Sequence, residues 1–340
     1  MERRRLTDNA LVRNACYGLG GQGDLMQFVW WGVGLAVGYL VLAPVVTVAA
    51  MRVLLTAGIV PWSPEGPGLP TDPLSIGYRG DPQVAFGWEF EAVSYPTELG
   101  EAPAWLVPGA ANETLWAIWV HGIGGIRENG YRMARTLHEA GLPVLMITYR
   151  NDAGAPRSAD GLYSFGLSEW PDLQAAVDFA VSRGAERVVI AAESMGAGIT
   201  GQYLRRGNNT ERVAGLALDA PALDFPAVIF ASGRRYSVPL SDYVSAAALQ
   251  LWSFVRTDLR EAVSLDAVAE FPGPVFVAHG TRDPLVPFSI SERLVQQRPD
   301  VMLWKTDADK HPKSFESDRA GYARALSAWL EKVRGASGAP

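Results

Sequence analysis

The chain has 340 residues, 48% of them hydrophobic and 19% charged, with a formal net charge of −6. That apolar content excludes intrinsic disorder as the overall state, and the acidic balance offers no basic face for nucleic acid. A single cysteine, Cys16, excludes an internal disulfide and any zinc site that needs two or four cysteines.

Phe28–Met51 is 24 residues without a charge, enough to cross roughly 30 Å of hydrocarbon as a helix. Trp30 and Trp31 stand at one end, where an interfacial belt would place them, and Pro44 is tolerated in a membrane helix. Arg3, Arg4, Arg5 and Arg13 precede the span, and only Arg52 and Arg79 follow it closely. The positive-inside rule therefore predicts a cytoplasmic segment 1–27, an anchor at 28–51 and a body outside the cytoplasm. Two readings compete with the anchor. A cleaved signal peptide would have an apolar stretch of about 7–15 residues, with Ala49 and Ala50 as small residues for cleavage. A buried core helix would be amphipathic, and this segment is apolar all round. Residues 52–83 read as a linker, because prolines and glycines crowd 61–82 and can hold neither a helix nor a central strand.

From Phe86 onward the pattern alternates. Phe86–Tyr95 reads as a strand stopped by Pro96, and Ala104–Val107 as a second strand. Leu115–Val120, Pro143–Tyr149, Arg187–Ala192 and Val213–Leu218 are apolar runs that suit buried strands. Helices are predicted over Tyr131–Ala140, Pro171–Ser182 and Gly196–Arg206 between them. Residues 225–272 interrupt the alternation with a helical block around Asp242–Arg260, a candidate lid. Strand Val275–Ala278, helix Ser289–Arg298, strand Val301–Lys305 and helix Phe315–Val333 then follow. Strands alternating with helices predict a mostly parallel α/β sheet with helices on both faces and a hairpin at one edge.

The strand ending at Ala192 runs straight into Glu193-Ser194-Met195-Gly196 and a helix. Small residues at Ala192 and Gly196 flank Ser194 as a tight strand-to-helix turn requires. Such a serine stands at a helix N-terminus, where backbone N–H groups favour developing negative charge. The plainer reading is a helix N-cap. His121-Gly122-Ile123-Gly124-Gly125 follows the strand Leu115–Val120. An N–H there, that of Ile123, would pair with the Met195 N–H to hold an oxyanion. This segment lacks GxGxxG, and no P-loop motif occurs anywhere in the chain, so a nucleotide site is disfavoured. Asp283, after the strand Val275–Ala278, is the candidate acid, with Asp219 and Asp224 as competitors. His311, in the loop after the last strand, is the candidate base. His138 reads as a surface residue of its helix, and His121 and His279 as ligands of nearby loop backbone.

The order Ser194, Asp283, His311 is that of the α/β-hydrolase arrangement. With the HGIGG loop, the AESMG elbow and HGTRDPLVP, the chain over about 84–335 resembles the α/β-hydrolase superfamily. Within it the chain is similar to single-pass, membrane-anchored serine hydrolases: monoacylglycerol and lysophospholipid lipases and depalmitoylases. Ala192 stands where the first elbow glycine is usual, and Tyr149-Arg150-Asn151-Asp152 where many relatives read Y-R-G-x-G-x-S. The resemblance implies acyl transfer to water through Ser194, His311 and Asp283, with no metal or organic cofactor.

The substrate expectation is a small-molecule or lipid ester held near a bilayer. Phe225, Ile229, Phe230, Tyr243, Leu249, Leu251, Trp252 and Phe254 of the insertion would line an acyl pocket, or equally would pack the lid onto the body. Arg234, Arg235, Arg256 and Arg260 offer a phosphate site, but five acids in the same insertion favour a mixed solvated face. An acyltransferase, a peptidase and a non-catalytic membrane-tethered binding protein are the alternative functions, since fold alone does not choose among them.

Overall fold

The computed structural model describes residues 22–58 and 68–337. The arginines before the anchor, Cys16, the linker residues 59–67 and the last three residues lie outside the described residues. The strands are β1 (Glu91–Thr97), β2 (Gly100–Val107), β3 (Leu115–Val120), β4 (Val144–Ile147), β5 (Arg187–Glu193), β6 (Val213–Asp219), β7 (Val275–Gly280) and β8 (Met302–Thr306). They form one sheet in the order β1-β2-β4-β3-β5-β6-β7-β8. β1 and β2 make an antiparallel hairpin and β2 is antiparallel to β4; every other neighbour is parallel.

Helices α1 (Gln22–Leu55) and α2 (Pro82–Phe86) precede the sheet. They are followed by α3 (Tyr131–Glu139), α4 (Trp170–Ser182), α5 (Met195–Arg206), α6 (Phe225–Arg235), α7 (Ser241–Ser253) and α8 (Leu265–Ala269). The last three are α9 (Ser289–Gln297), α10 (Ser314–Ser317) and α11 (Arg319–Ser337). In β3, Trp116, Ile118 and Val120 pack with α4, α5 and α9 on one face of the sheet, while Leu115, Ala117 and Trp119 pack with α3 and α11 on the other. Both faces of the strand are covered, so its sequence is apolar throughout and the two-residue period is hidden.

Three elements differ from the sequence expectation. The first strand starts at Glu91, because the Asp81 carboxylate accepts from the Val84 N–H and caps the short helix α2. Pro96 does not stop β1. It lies in the strand opposite Glu101, and on an edge strand the missing N–H costs no ladder bond. The lid is not one long helix: α6 and α7 pair as a helical hairpin, and Leu259–Glu261 is a separate 3₁₀ turn.

The helix read from the sequence as an anchor is longer and better docked than its composition implied. Met26–Leu55 is apolar enough to cross a membrane, with a mean hydropathy of 2.2. Met26–Val37 is exposed all round, but from Gly38 onward one side packs on α7. Met51 and Leu55 are buried in the main core, and the Ala57 N–H donates to the Gly161 carbonyl at 3.1 Å. The described part of the linker is not a free spacer either: Ile76 and Tyr78 are buried, and Asp72 pairs with Arg319 at 2.6 Å.

Candidate active site

Ser194 sits between β5, at the centre of the sheet, and α5, with φ 51° and ψ −117°. A side chain in this positive-φ turn is strained. The strain is held by backbone bonds: the Ser194 N–H donates to the Asp219 carbonyl at 2.9 Å, and the Ala222 N–H to the Ser194 carbonyl at 3.1 Å. Gly196 explains itself, because a Cβ there would overlap the carbonyl oxygens of Val120 and His121.

The structure brings Ser194, His311 and Asp283 into one hydrogen-bonded chain. Ser194 Oγ and His311 Nε2 are 2.9 Å apart, and His311 Nδ1 and Asp283 Oδ2 are 2.6 Å apart. With its proton on Nδ1, His311 donates to the carboxylate and accepts from the serine hydroxyl. The other Asp283 oxygen accepts from the N–H groups of Leu285 (2.8 Å) and Val286 (3.0 Å), and His279 Nε2 lies 3.7 Å from Oδ2. Burial opposes ionisation of Asp283, but the nearby His279 ring and the bonds to His311 and the Leu285 amide outweigh it. They hold the carboxyl well below the ordinary carboxylate range. The two loops are also tied to each other, since Thr281 N–H donates to the Thr306 carbonyl and Arg282 N–H to that of Ala308.

The competing acids serve elsewhere. Asp224 caps α6 through the Ala227 N–H (2.9 Å) and pairs with Arg293 at 2.6 Å. Asp219 faces the other side of the elbow, among Arg132, Glu193 and Tyr322. Arg132 pairs with Glu193, donates to the Pro312 carbonyl at 2.9 Å and stands 3.5 Å from Asp219. Burial pushes Asp219 up to about 7, helped by Glu193 and opposed by Arg132. Arg132 thus braces the residue before Ser194 and the residue after His311 with one guanidinium.

Ile123 lines the same cavity as Ser194 and His311. Met195 is the first residue of α5, so its N–H has no acceptor one turn back within the helix. The Ile123 loop rests on a network that reading the sequence missed. His121 Nδ1 lies 2.8 Å from the Gly122 carbonyl oxygen, and Nε2 lies 2.8 Å from Asp152 Oδ2. Tyr149 stacks on the imidazole and donates to the His121 carbonyl, and Tyr163 donates to the other Asp152 oxygen. Nδ1 also lies 3.2 Å from the Tyr149 hydroxyl, and the neighbouring carboxylate favours a charged ring. Burial works against that charge, yet Asp152 raises the His121 pKa above its ordinary value. The only signal in the sequence was the departure at Tyr149–Asp152. His138, expected at the surface, is half-buried and packs on Trp88, with ring centroids 4.5 Å apart. His279 does meet loop backbone, the Val286 carbonyl at 3.1 Å, and also Ser291 Oγ at 2.7 Å.

The cavity over Ser194 measures about 100 Å³ and is lined mostly by carbon. Of the lid residues expected there, only Ile229 lines it. Phe225, Leu249 and Trp252 are buried in the core, and Tyr243, Leu251 and Phe254 are exposed. Val228 and Ser232 of α6, Phe165, Val286 and Leu54 of α1 complete the wall. The lid arginines are surface groups; Arg234 pairs with Asp242 and Arg260 with Asp258.

No family model matches the sequence. The uncharacterized protein YfhR of Salmonella typhi is 24% identical over 250 residues, spanning 69% of this chain and 79% of that protein. The Pyrococcus furiosus esterase Pf2001 superposes with a TM-score of 0.57 at 20% identity, over 74% of this chain and 96% of its own. The chain has the α/β-hydrolase fold. An esterase from Exiguobacterium antarcticum matches with a TM-score of 0.52 at 15% identity, over 71% of this chain and all of its own. At such identities the similarity is one of fold. In α/β-hydrolase terms, Ser194 stands at the turn after the central strand, and Asp283 and His311 on the loops after β7 and β8.

Proposed function

We propose that this protein is a membrane-anchored serine hydrolase that cleaves carboxylic esters of lipids or other acyl compounds. The observation that carries the reading is the chain Ser194–His311–Asp283, assembled at the C-terminal edge of a parallel sheet and facing an apolar cavity. In the proposed mechanism His311 takes the Ser194 proton as the serine oxygen attacks the ester carbonyl. Asp283 keeps Nδ1 protonated and stabilises the imidazolium. The N–H groups of Ile123 and Met195 receive the oxyanion. His311 then protonates the leaving alcohol, and a water that it deprotonates hydrolyses the acyl-enzyme.

Carbon lining in the cavity and the anchor at the N-terminus support an acyl ester that resides near a bilayer. A cavity of about 100 Å³ is small against the ~300–1,000 Å³ of ligand clefts. A long acyl chain therefore has to displace the lid or leave between α1 and α6. The proposed topology has the N-terminus in the cytoplasm and the hydrolase body outside.

Labelling of membranes with a fluorophosphonate probe tests the reading. The wild-type chain is expected to label and Ser194→Ala to stay dark. A folded, membrane-located wild type that fails to label overturns it. Product analysis with an added acceptor alcohol separates hydrolysis from acyl transfer.

A further inference from the structure

Counted from Met26, where its apolar stretch begins, the part of α1 that stands clear of the body is too short to cross a bilayer. Met26–Val37 is free on all sides, and at 1.5 Å per residue it spans about 18 Å. A hydrocarbon core is about 30 Å thick and takes about 20 helical residues, which from Met26 end near Val45. The lid meets the helix before that point. The Tyr39 hydroxyl donates to the Pro239 carbonyl, and the Tyr243 hydroxyl to the Leu40 carbonyl at 3.2 Å. On the side of α1 turned away from α7, Val41, Leu42, Val45 and Val46 stay exposed. Protein on one side and bare apolar surface on the other is what a helix requires where it is shared between a lid and lipid.

Resting on the anchor reading above, we propose that the tip of the lid, Tyr236–Tyr243, is embedded in the outer leaflet beside α1, so that a bilayer-held amphiphilic ester reaches Ser194 along α6 without leaving the membrane entirely. The tip is made for that layer. Tyr236 is 73% exposed, Leu240 64% and Tyr243 49%, although each is large and partly or wholly apolar. The backbone is largely satisfied from within. The N–H groups of Tyr236, Ser237 and Val238 donate to Ser232, Arg234 and Gly233, Pro239 has no N–H, and its carbonyl takes the Tyr39 bond. That lowers the cost of leaving water. The charges there are Arg234, Arg235 and Asp242. Arg234 and Asp242 neutralise each other in a two-bond pair, both at 3.0 Å, and the long stem of Arg235 lets its head reach the phosphate layer.

The path to the site follows from α6. Val228, Ile229 and Ser232 line the cavity, and one turn further the helix ends at the tip. Leu54 of α1 forms part of the opposite wall. Nine residues separate it from Val45, about 14 Å of helix, so the ester need rise only part of its own chain length.

The test uses the full chain in phosphatidylcholine vesicles, with Cys16→Ser and one new cysteine bearing an environment-sensitive fluorophore at position 35, 240 or 84. Doxyl-labelled lipid is expected to quench labels at 35 and 240 and to leave the label at 84, on α2, unaffected. Quenching at 35 with position 240 behaving like 84 overturns lid embedding while leaving the anchor in place. No quenching at 35 overturns the anchor reading and this proposal with it. Leu240→Asp is then expected to slow turnover of a vesicle-borne long-chain ester on the order of tenfold, with a soluble short-chain ester turned over as before. Equal loss on both substrates overturns the proposal, and Tyr236→Asp serves as the second variant.

Discussion

Asp283 holds its charge in a buried place because four groups face it, and that is why a neutral isostere there is a sharp probe. Asp283→Asn keeps the shape but cannot hold the His311 tautomer that accepts from Ser194. Turnover of a chromogenic ester is expected to fall about 10⁴-fold with the fold intact, as judged by circular dichroism. His121 offers a probe of the loop beneath Ile123. Its pKa in the folded chain lies above the ordinary 6.5, so the folded state binds the extra proton more tightly. The stability this contributes is fully present below about pH 6.5 and is lost as the pH rises through the raised value. Thermal unfolding followed against pH is expected to show that loss in the wild type. In Asp152→Asn the profile should be flatter and the protein less stable at low pH.

Two substitutions separate the turn from what braces it. Gly196→Ala drives a methyl into the carbonyls of Val120 and His121, with no flexible side chain to give way. It is expected to cost at least about 1–3 kcal/mol in urea unfolding and to lower activity with it. Arg132→Met leaves the Glu193 carboxylate buried without its cation and frees the Pro312 carbonyl. Breaking such a pair costs about 3–5 kcal/mol. Because Arg132 joins the elbow to the His311 loop, the active fraction of the remaining folded protein, titrated with a fluorophosphonate, is expected to drop as well.

α1 belongs to two environments, and truncation divides them. Removing residues 1–37 takes away the exposed stretch Met26–Val37 of α1 and is expected to give a chain that unfolds at nearly the wild-type temperature. Removing residues 1–57 also takes Met51 and Leu55 from the core and Leu54 from the cavity wall. Each large buried side chain lost costs about 2–5 kcal/mol, so this shorter chain is expected to aggregate or to lose the lid's fixed position, read by its thermal transition and its ester turnover.

Local chemistry decided a great deal before any contact was known. Apolar runs bounded by glycine and proline marked the interior strands to within a residue or two, because a strand buried on both faces leaves no room for polar side chains. Small residues around Ser194 marked the turn, since only they fit between β5 and β3. The long charge-free stretch marked α1 as a helix long and apolar enough to cross a membrane. What required the tertiary structure was every choice among residues equally suited by type. Asp219, Asp224 and Asp283 all stand at or after the ends of parallel strands; only the fold decides which carboxylate meets His311. The His121–Asp152 pair joins segments 31 residues apart, and Arg132 joins the ends of β5 and β6 to the His311 loop, so neither leaves a periodic trace. The lid aromatics read alike as pocket or as packing, because burial against protein and burial against a substrate ask for the same side chains. Only the path of α6 and α7 against α1 distinguished the residues that face the core, the cavity and the outside.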